Sequence, residues 1–227
     1  MKLVRSASLA RYVVAMLAVV LVASGAARAE AVFSFDATPG RLPKTVVPIN
    51  YSIELRPDAE SLALPGVAAI DIEIREPTAR LTVNAVDITI ASVTVDGSAE
   101  RADVALDAAA ETATFTFAQP LAAGAHRLRI EFTARINRFD RGFFFVDYPT
   151  DGGVKRLLTS KLEPADARRI FPCWDEPAFK ASFALTVRVP RHFLAVGNMP
   201  VVATTPIVTP SVSAVMRSSS PTVSTNR

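Results

Sequence analysis

Apolar and polar residues alternate with a period of two through most of the chain after Pro48. Every second residue is apolar from Ile49 to Leu55 and again from Ile70 to Ile74. Alternation of this kind places one set of side chains in a core and the other in water, which is typical of half-buried antiparallel strands. The pattern recurs in further short runs, at Leu81/Val83/Ala85, Ile88/Ile90, Val93/Val95, Phe115/Phe117, Leu128/Ile130/Phe132 and Phe183/Leu185/Val187/Val189.

Turn-forming residues separate these runs at regular intervals, for example at Asp96-Gly97, Ala123-Gly124 and 151–153. Many short strands with frequent turns predict an all-β fold, an antiparallel β-sandwich. No helical pattern of comparable length follows the N-terminal region. Residues 142–146 are apolar on both faces, which predicts a central strand that is covered on each side.

The first 29 residues have the pattern of a signal peptide. Lys2, Arg5 and Arg11 precede an apolar run over residues 12–23, and Ala27-Arg28-Ala29 offers a cleavage site before Glu30. The alternative is a membrane anchor, but the run is about a dozen residues and spanning a bilayer takes roughly 20. We therefore expect export to the periplasm or secretion, with no stable membrane span after cleavage.

Removal of this segment changes the charge of the protein. It takes away four of the 25 Lys and Arg residues and none of the 22 Asp and Glu residues, so the net charge changes from +3 to −1. No cluster of basic and aromatic residues remains for binding nucleic acid, and we expect no such partner. Cys173 is the only cysteine, so no disulfide within the chain and no Cys₄ or Cys₂His₂ zinc site can form.

The composition changes after residue 202. Of the 25 residues in 203–227, 14 are Ser, Thr or Pro and none is acidic, which predicts a disordered tail. The tail is either a natural linker or the product of a shifted reading frame, and we favour the frame shift because the break falls inside a domain. In that case the domain lacks its last strands. The predicted organisation is a signal peptide (1–29), an extension (30–40), a β-domain (41–202) and the tail (203–227).

The most specific motif lies in residues 163–183. It closely resembles the signature E-x-x-D-A-R-x-x-F-P-C-[FW]-D-E-P-x-x-K-A-x-F of the M1 (gluzincin) zinc aminopeptidases, near the end of their N-terminal β-domain. Residues 41–43, 47–51 and 198–201 are similar to that family's R-L-P, P-x-x-Y and N-M-P segments. The resemblance covers about residues 41–201 and implies a saddle-like β-domain, zinc in the full-length enzyme, and peptide N-termini as substrates.

The catalytic motifs of that family, G-A-M-E-N and H-E-x-x-H, do not occur in this sequence. The two histidines, His126 and His192, are far apart, and a catalytic zinc needs three protein ligands and an open position for water. We therefore assign no catalytic residue, no metal ligand and no cofactor to this chain, and expect it to be inactive alone.

Glu163 is the one functional residue that the resemblance implies. In many family members the glutamate or glutamine at this position contacts the free α-amino group of the substrate, as a carboxylate can through a charge-assisted hydrogen bond. The alternative is an ordinary loop carboxylate. Many relatives have Gln where this chain has Lys161, so either Lys161 points away from the ammonium or amine binding differs here.

The other polar residues of the motif have plainer interpretations. We expect Asp166, Arg168 and Arg169 to form structural ion pairs that fix a loop, with a substrate clamp as the alternative. Cys173 is expected to be a buried apolar residue rather than a nucleophile. Asp175 and Glu176 are adjacent and should point to opposite sides, which argues against a pair of catalytic carboxylates.

Two functions are compatible with these observations. The first is the N-terminal domain of an M1 aminopeptidase that removes N-terminal residues from peptides. The second is a non-catalytic exported β-sandwich that binds peptides or proteins. A Ser/Thr/Pro tail attached to a complete β-domain would favour the second function, and a domain cut before its last strands would count against it.

Overall fold

The computed structural model describes residues 33–206 and 211–217. The predicted signal peptide and the end of the predicted tail lie outside these residues. The chain divides into two compact units, Met1–Ala37 and Thr38–Arg227. In the described part of the first unit, residues 35–37 form a turn and the Ala37 amide donates to Ser34 Oγ at 3.3 Å. None of the described helices is long and apolar enough to cross a membrane.

The second unit is built almost entirely from strands. Numbered in chain order, they are β1 (Val46–Leu55), β2 (Ala63–Ile74), β3 (Thr78–Asn84), β4 (Thr89–Val95), β5 (Asp103–Asp107), β6 (Thr112–Leu121), β7 (Gly124–Arg135), β8 (Gly142–Thr150), β9 (Gly153–Lys161), β10 (Ser182–Pro190), β11 (Val201–Pro206) and β12 (Ser211–Arg217). The described helical structure is one 3₁₀ turn, Ala167–Arg169, between β9 and β10.

The strands form three sheets. The largest has seven strands in the order β11-β12-β10-β1-β2-β7-β4, a second has the order β3-β6-β5, and β8 and β9 form a hairpin. Burial alternates along β1, β2, β6 and β7, as the period-two pattern predicts. The buried side chains include Tyr51, Ile70, Phe115 and Ile130, each at most 2% exposed. The prediction of an all-β fold is confirmed.

One neighbouring pair in the large sheet differs from the purely antiparallel arrangement that we predicted. Strands β1 and β10 run parallel, with Tyr51 opposite Phe183 and Leu55 opposite Val187. The other paired strands are antiparallel. Local alternation carries no information on this point, because both kinds of strand have the same side-chain period of two. Only the long connection between β1 and β10 permits the parallel direction.

The prediction for residues 142–146 is wrong. These residues begin β8, which in the described part of the chain pairs along its length only with β9. The three phenylalanines are half-buried, and Val146 is 43% exposed. The Phe145 ring is covered by two guanidinium groups and not by a second sheet. Those of Arg138 and Arg156 lie 5.5 and 4.0 Å from the ring centroid. Cation–π contacts of this kind cover aromatic surface without a fully apolar layer.

The prediction of a disordered tail is also wrong for part of its length. Residues 203–206 belong to β11, and β12 pairs antiparallel with both β11 and β10. The prediction of disorder was based on the low content of large apolar residues in 203–227. Ser, Thr and Val nevertheless pair well at a sheet edge, because the open edge of β10 offers unpaired backbone groups to a strand of high β-propensity.

A hydrogen-bonded histidine joins the start of β7 to the end of the neighbouring strand β4. His126, in β7, places Nδ1 2.6 Å from Asp96 Oδ2 and Nε2 2.9 Å from the Ala122 carbonyl oxygen. Both partners are acceptors, so both hydrogen bonds are made only by the doubly protonated ring. The hydrogen bond to Asp96 raises the pKa of His126 above its ordinary value, against the opposing effect of partial burial.

This arrangement predicts a pH-dependent contribution to stability. The folded-state pKa is raised, so the stabilisation is fully present below the unfolded pKa of about 6.5 and is lost as the pH rises through the folded pKa. Urea unfolding of the wild-type protein and His126→Gln should show a difference in unfolding free energy that shrinks from pH 5.5 to pH 8.5. A difference that is constant or grows over this range would contradict the assignment.

Candidate functional site

The motif residues form a long loop between β9 and β10 that is tied to the body of the domain. Residues 171–174 are buried. The backbone of Cys173 makes a two-way bridge with Asn84 at the end of β3, with N···O distances of 2.8 and 3.1 Å. Burial raises the pKa of the Cys173 thiol well above its usual range. The side chain is therefore a protonated, buried group rather than a nucleophile.

Tyr51 holds the same stretch of the loop from the side of β1. Its buried hydroxyl accepts a hydrogen bond from the Trp174 amide at 3.1 Å. Its ring stacks on Phe183, with 4.8 Å between centroids, and meets Phe171 edge-on at 6.1 Å. Burial raises the pKa of Tyr51 well above its usual range, so the hydroxyl stays neutral.

Arg168 lies at the centre of the charged part of the loop, and its side chain is 12% exposed. Its Nε donates to Asp175 Oδ2 at 3.0 Å, its Nη2 to the Asp175 carbonyl at 2.9 Å, and its Nη1 to Glu111 at 2.9 Å. The buried Asn84 side chain completes this cluster, because its Oδ1 accepts from the Asp175 amide at 3.1 Å. Arg168 and Asp175 therefore hold the loop through bonds within the domain.

Asp166 and Arg169 form a second structural cluster. The Asp166 side chain is 4% exposed, and its carboxylate accepts from Arg141 Nε at 3.1 Å and from Arg169 Nε at 2.9 Å. Burial alone would raise the pKa of Asp166, but the two hydrogen bonds outweigh it and hold the pKa below its usual value. Arg169 also pairs with Asp87 at 3.1 Å.

The Glu176 carboxylate accepts hydrogen bonds from other groups than the Asp175 carboxylate does. Its Oε1 accepts from the backbone amides of Arg41 and Leu42 at 2.7 and 3.1 Å. Its Oε2 is buried and makes no hydrogen bond to another described residue. Gly40 is required here, since a Cβ at that position would lie 2.3 Å from Oε2. The two adjacent carboxylates thus do not form a catalytic pair.

Glu163 differs from every other carboxylate of the motif. It is exposed, and its side chain makes no hydrogen bond or ion pair with another residue in the described part of the chain. The peptide bond between Glu163 and Pro164 is cis. Lys161, two residues earlier, places its Nζ 3.0 Å from Asp140 Oδ2. The Lys161 ammonium group is therefore paired with the Asp140 carboxylate.

The two histidines lie on different parts of the fold. His126 is bound in β7 as described above, and His192 follows β10. Within residues 33–206 and 211–217 no group of three His, Cys, Asp or Glu side chains could hold a metal ion.

A cleft of about 1090 Å³ lies beside these clusters, but Glu163 does not line it. Its wall includes Asp87, the partner of Arg169, together with Asp107, Arg135 and Phe139. The cleft is therefore connected to the charged loop by this ion pair and by the Val86 amide, which lines the cleft and donates to the Arg168 carbonyl oxygen at 2.9 Å.

Sequence reasoning did not identify several residues that hold the loop. Asn84, Glu111 and Arg141 are distant in sequence and belong to no motif. The one available signal was Asn84, a polar residue that directly follows the alternating Leu81 and Val83. The sequence identifies Tyr51 as an apolar strand position and as part of the family-like segment 47–51. It does not reveal that the Tyr51 hydroxyl accepts from the Trp174 amide.

Comparison with known proteins extends these observations. Residues 47–225 match the family model of the Peptidase M1 N-terminal domain. Aminopeptidase N of Acetobacter pasteurianus is 44% identical over 179 residues, which is 78% of this chain and 50% of that protein. Aminopeptidase M1-B of Oryza sativa subsp. japonica is 39% identical over 171 residues, and Aminopeptidase M1 of Arabidopsis thaliana is 36% identical over 168 residues.

The two plant proteins are much longer than the matched region. The alignments cover 73% and 71% of this chain but only 19% of each plant protein. The chain thus spans about half the length of the Acetobacter relative and a small part of the plant ones. The family match includes residues 203–225, which favours the native reading frame over the shifted one that the composition suggested.

The hydrogen bond between Tyr51 and Trp174 predicts a measurable loss of stability on removal of one oxygen atom. Tyr51→Phe leaves the buried Trp174 amide without its acceptor, which should cost about 1–3 kcal/mol of unfolding free energy. The matched control is Tyr148→Phe, because Tyr148 is 42% exposed and its hydroxyl bonds to no described residue. Urea unfolding should show a change within about 0.5 kcal/mol for the control. Equal effects of the two changes would contradict this account.

Proposed function

The chain belongs to the Peptidase M1 N-terminal domain family, and on this premise we propose that it is the N-terminal β-domain of an exported zinc aminopeptidase. In this proposal the whole enzyme removes N-terminal residues from peptides. Glu163 contributes the domain's contact with the α-ammonium group of the substrate. The observation that supports the proposal is the unpaired, exposed carboxylate of Glu163 on a loop whose other charged groups are bound internally.

The neighbouring carboxylates cannot take this role without loss of structure. Asp166 and Asp175 are bound by arginines, and Glu176 accepts from two backbone amides. Glu163 is therefore the motif carboxylate that can accept charge-assisted hydrogen bonds from a substrate ammonium. The ion pair of Lys161 with Asp140 supports the same role, because it partly neutralises the one lysine adjacent to this turn.

The residues of this chain do not fit a zinc site. The described residues offer no cluster of three ligands, and the sequence has no H-E-x-x-H motif. In the proposed whole enzyme, zinc in the catalytic portion would activate the attacking water. This domain would bind and orient the substrate N-terminus and would not by itself hydrolyse a peptide bond.

Export is the second part of the proposal. It rests on the basic residues, apolar run and Ala27-Arg28-Ala29 site within residues 1–29. The mature domain would then act in the periplasm or outside the cell on free peptides.

The first test concerns the chain without a catalytic portion. The purified protein should bind no stoichiometric zinc and should release no product from aminoacyl-anilide substrates, because it lacks three metal ligands and a general base. Zinc is measured by atomic absorption after dialysis, and hydrolysis by absorbance. One equivalent of zinc together with turnover would contradict the assignment.

The second test concerns Glu163 and uses a hybrid in which residues 47–217 replace the matching segment of the Arabidopsis relative. In the proposed whole enzyme the catalytic portion would cover the pair of Glu163 and the substrate ammonium, and loss of one partner of a charge pair buried in this way costs about 2–5 kcal/mol. At 1.36 kcal/mol per tenfold, Glu163→Ala should lower kcat/KM by roughly 30-fold to several thousand-fold with zinc content unchanged. Glu163→Gln should lose less, because an amide oxygen still accepts a hydrogen bond.

The matched control is Glu76→Ala, an exposed glutamate in the turn between β2 and β3 that also bonds to no described residue. It should leave kcat/KM unchanged. An unchanged kcat/KM for Glu163→Ala in the zinc-loaded hybrid would refute the role of Glu163. A folded, zinc-loaded hybrid without any aminopeptidase activity would count against the proposed function as a whole.

A further inference from the structure

Glu163 lies in a short turn that is closed by the backbone. The Asp166 amide donates to the Leu162 carbonyl oxygen at 2.8 Å, so the chain returns on itself over residues 162–166. The Glu163 side chain itself has no partner in the described part of the chain that would hold it. The carboxylate is therefore held in place only through the backbone of this turn, and its position depends on the attachment of the turn to the domain.

The attachment is made by the side chain of Asp166. Its Oδ2 accepts from Arg141, and Arg141 directly precedes Gly142, whose strand partner is Lys161 at the end of β9. The Asp166–Arg141 ion pair thus joins the far end of the turn to the strand pair from which the turn begins. Because the Asp166 carboxylate is 4% exposed, water competes little for this contact.

The residues around Arg141 are also held in place. The Arg141 carbonyl oxygen accepts from Asn137 Nδ2 at 2.9 Å, and Asn137 is buried. Gly142 has φ of +64°, and a Cβ there would lie 2.8 Å from Arg169 Cβ, so the strand start and the 3₁₀ turn are in close contact. Arg169 in turn donates to the other oxygen of Asp166 at 2.9 Å.

We infer that Asp166, held by Arg141, is a positioning residue that fixes the Glu163 carboxylate for the substrate ammonium. This inference rests on the proposed function. A single carboxylate that must meet a single ammonium group is sensitive to displacement, and a misplacement of about 1 Å can cost on the order of 100-fold in rate. Asp166 touches no substrate, so any effect on catalysis must pass through Glu163.

The test is a double-mutant cycle in the hybrid enzyme, with Asp166→Asn and Glu163→Ala made singly and together. Asp166→Asn should lower kcat/KM about 10- to 100-fold when Glu163 is present and less than about 2-fold when Glu163 is already alanine. The loss should appear mainly in KM, because the ammonium is bound in both the ground state and the transition state.

A second variant covers the case in which Asp166→Asn fails to fold. Arg141→Gln removes the same ion pair from a side chain that is 53% exposed, and it should show the same dependence on Glu163. The matched control is Asp147→Asn. It breaks the ion pair of Asp147 in β8 with Arg156 in β9, and Asp147 lies six residues after Arg141. It should leave kcat/KM unchanged in both backgrounds.

The outcomes separate this inference from the function on which it rests. Equal losses from Asp166→Asn or Arg141→Gln in both backgrounds, or no loss in either, would overturn the positioning role while leaving Glu163 in place. If Glu163→Ala alone has no effect on kcat/KM, both the role of Glu163 and this inference fall.

Discussion

The guanidinium of Arg168 must have its donors satisfied, because its side chain is largely removed from water. Asp175, from its own loop, and Glu111, from the turn before β6, supply the acceptors. Each of these partners is in turn held by the body of the domain. Asn84 binds the Asp175 amide and pairs with Cys173, and Tyr51 binds the amide of Trp174, which lies between these two residues. The conformation of the whole motif loop depends on this requirement.

This arrangement explains why a loop so rich in charged residues contains only one carboxylate suited to binding. Asp166, Asp175 and Glu176 are used to fix backbone and arginine groups, and each would leave a buried donor unpaired if it turned toward a ligand. Glu163 is exposed, and among the motif carboxylates it is the one whose side chain bonds to no other residue in the described part of the chain. A rigid loop that carries one exposed, unpaired carboxylate is suited to the proposed recognition of a group with a fixed position, such as the end of a peptide.

Much of the fold could be predicted from local pattern, because period-two alternation reports directly on strands with one buried face. This succeeded for β1, β2, β6 and β7. It failed for β8, where arginines cover Phe145, and for β11 and β12, where polar β-formers pair with an existing edge. At the site, the motif predicted the structural ion pairs of Asp166 and Arg168, whereas the substrate contact that it implies for Glu163 stays a prediction. Arg141, Asn84 and Glu111 could not be predicted, because their contacts join positions far apart in the chain and leave no periodic signal.

The parallel pairing of β1 with β10 has a consequence for how the domain is made. Strand β1 is synthesised first, and its parallel partner β10 follows only after the β8–β9 hairpin and the motif loop. Until β10 emerges, one edge of β1 is open, and β11 and β12 have no sheet to join. Such non-local pairing slows folding and leaves partly folded chains prone to association. The nascent domain therefore exposes a strand edge until the motif loop is complete, and it is most prone to association during that interval.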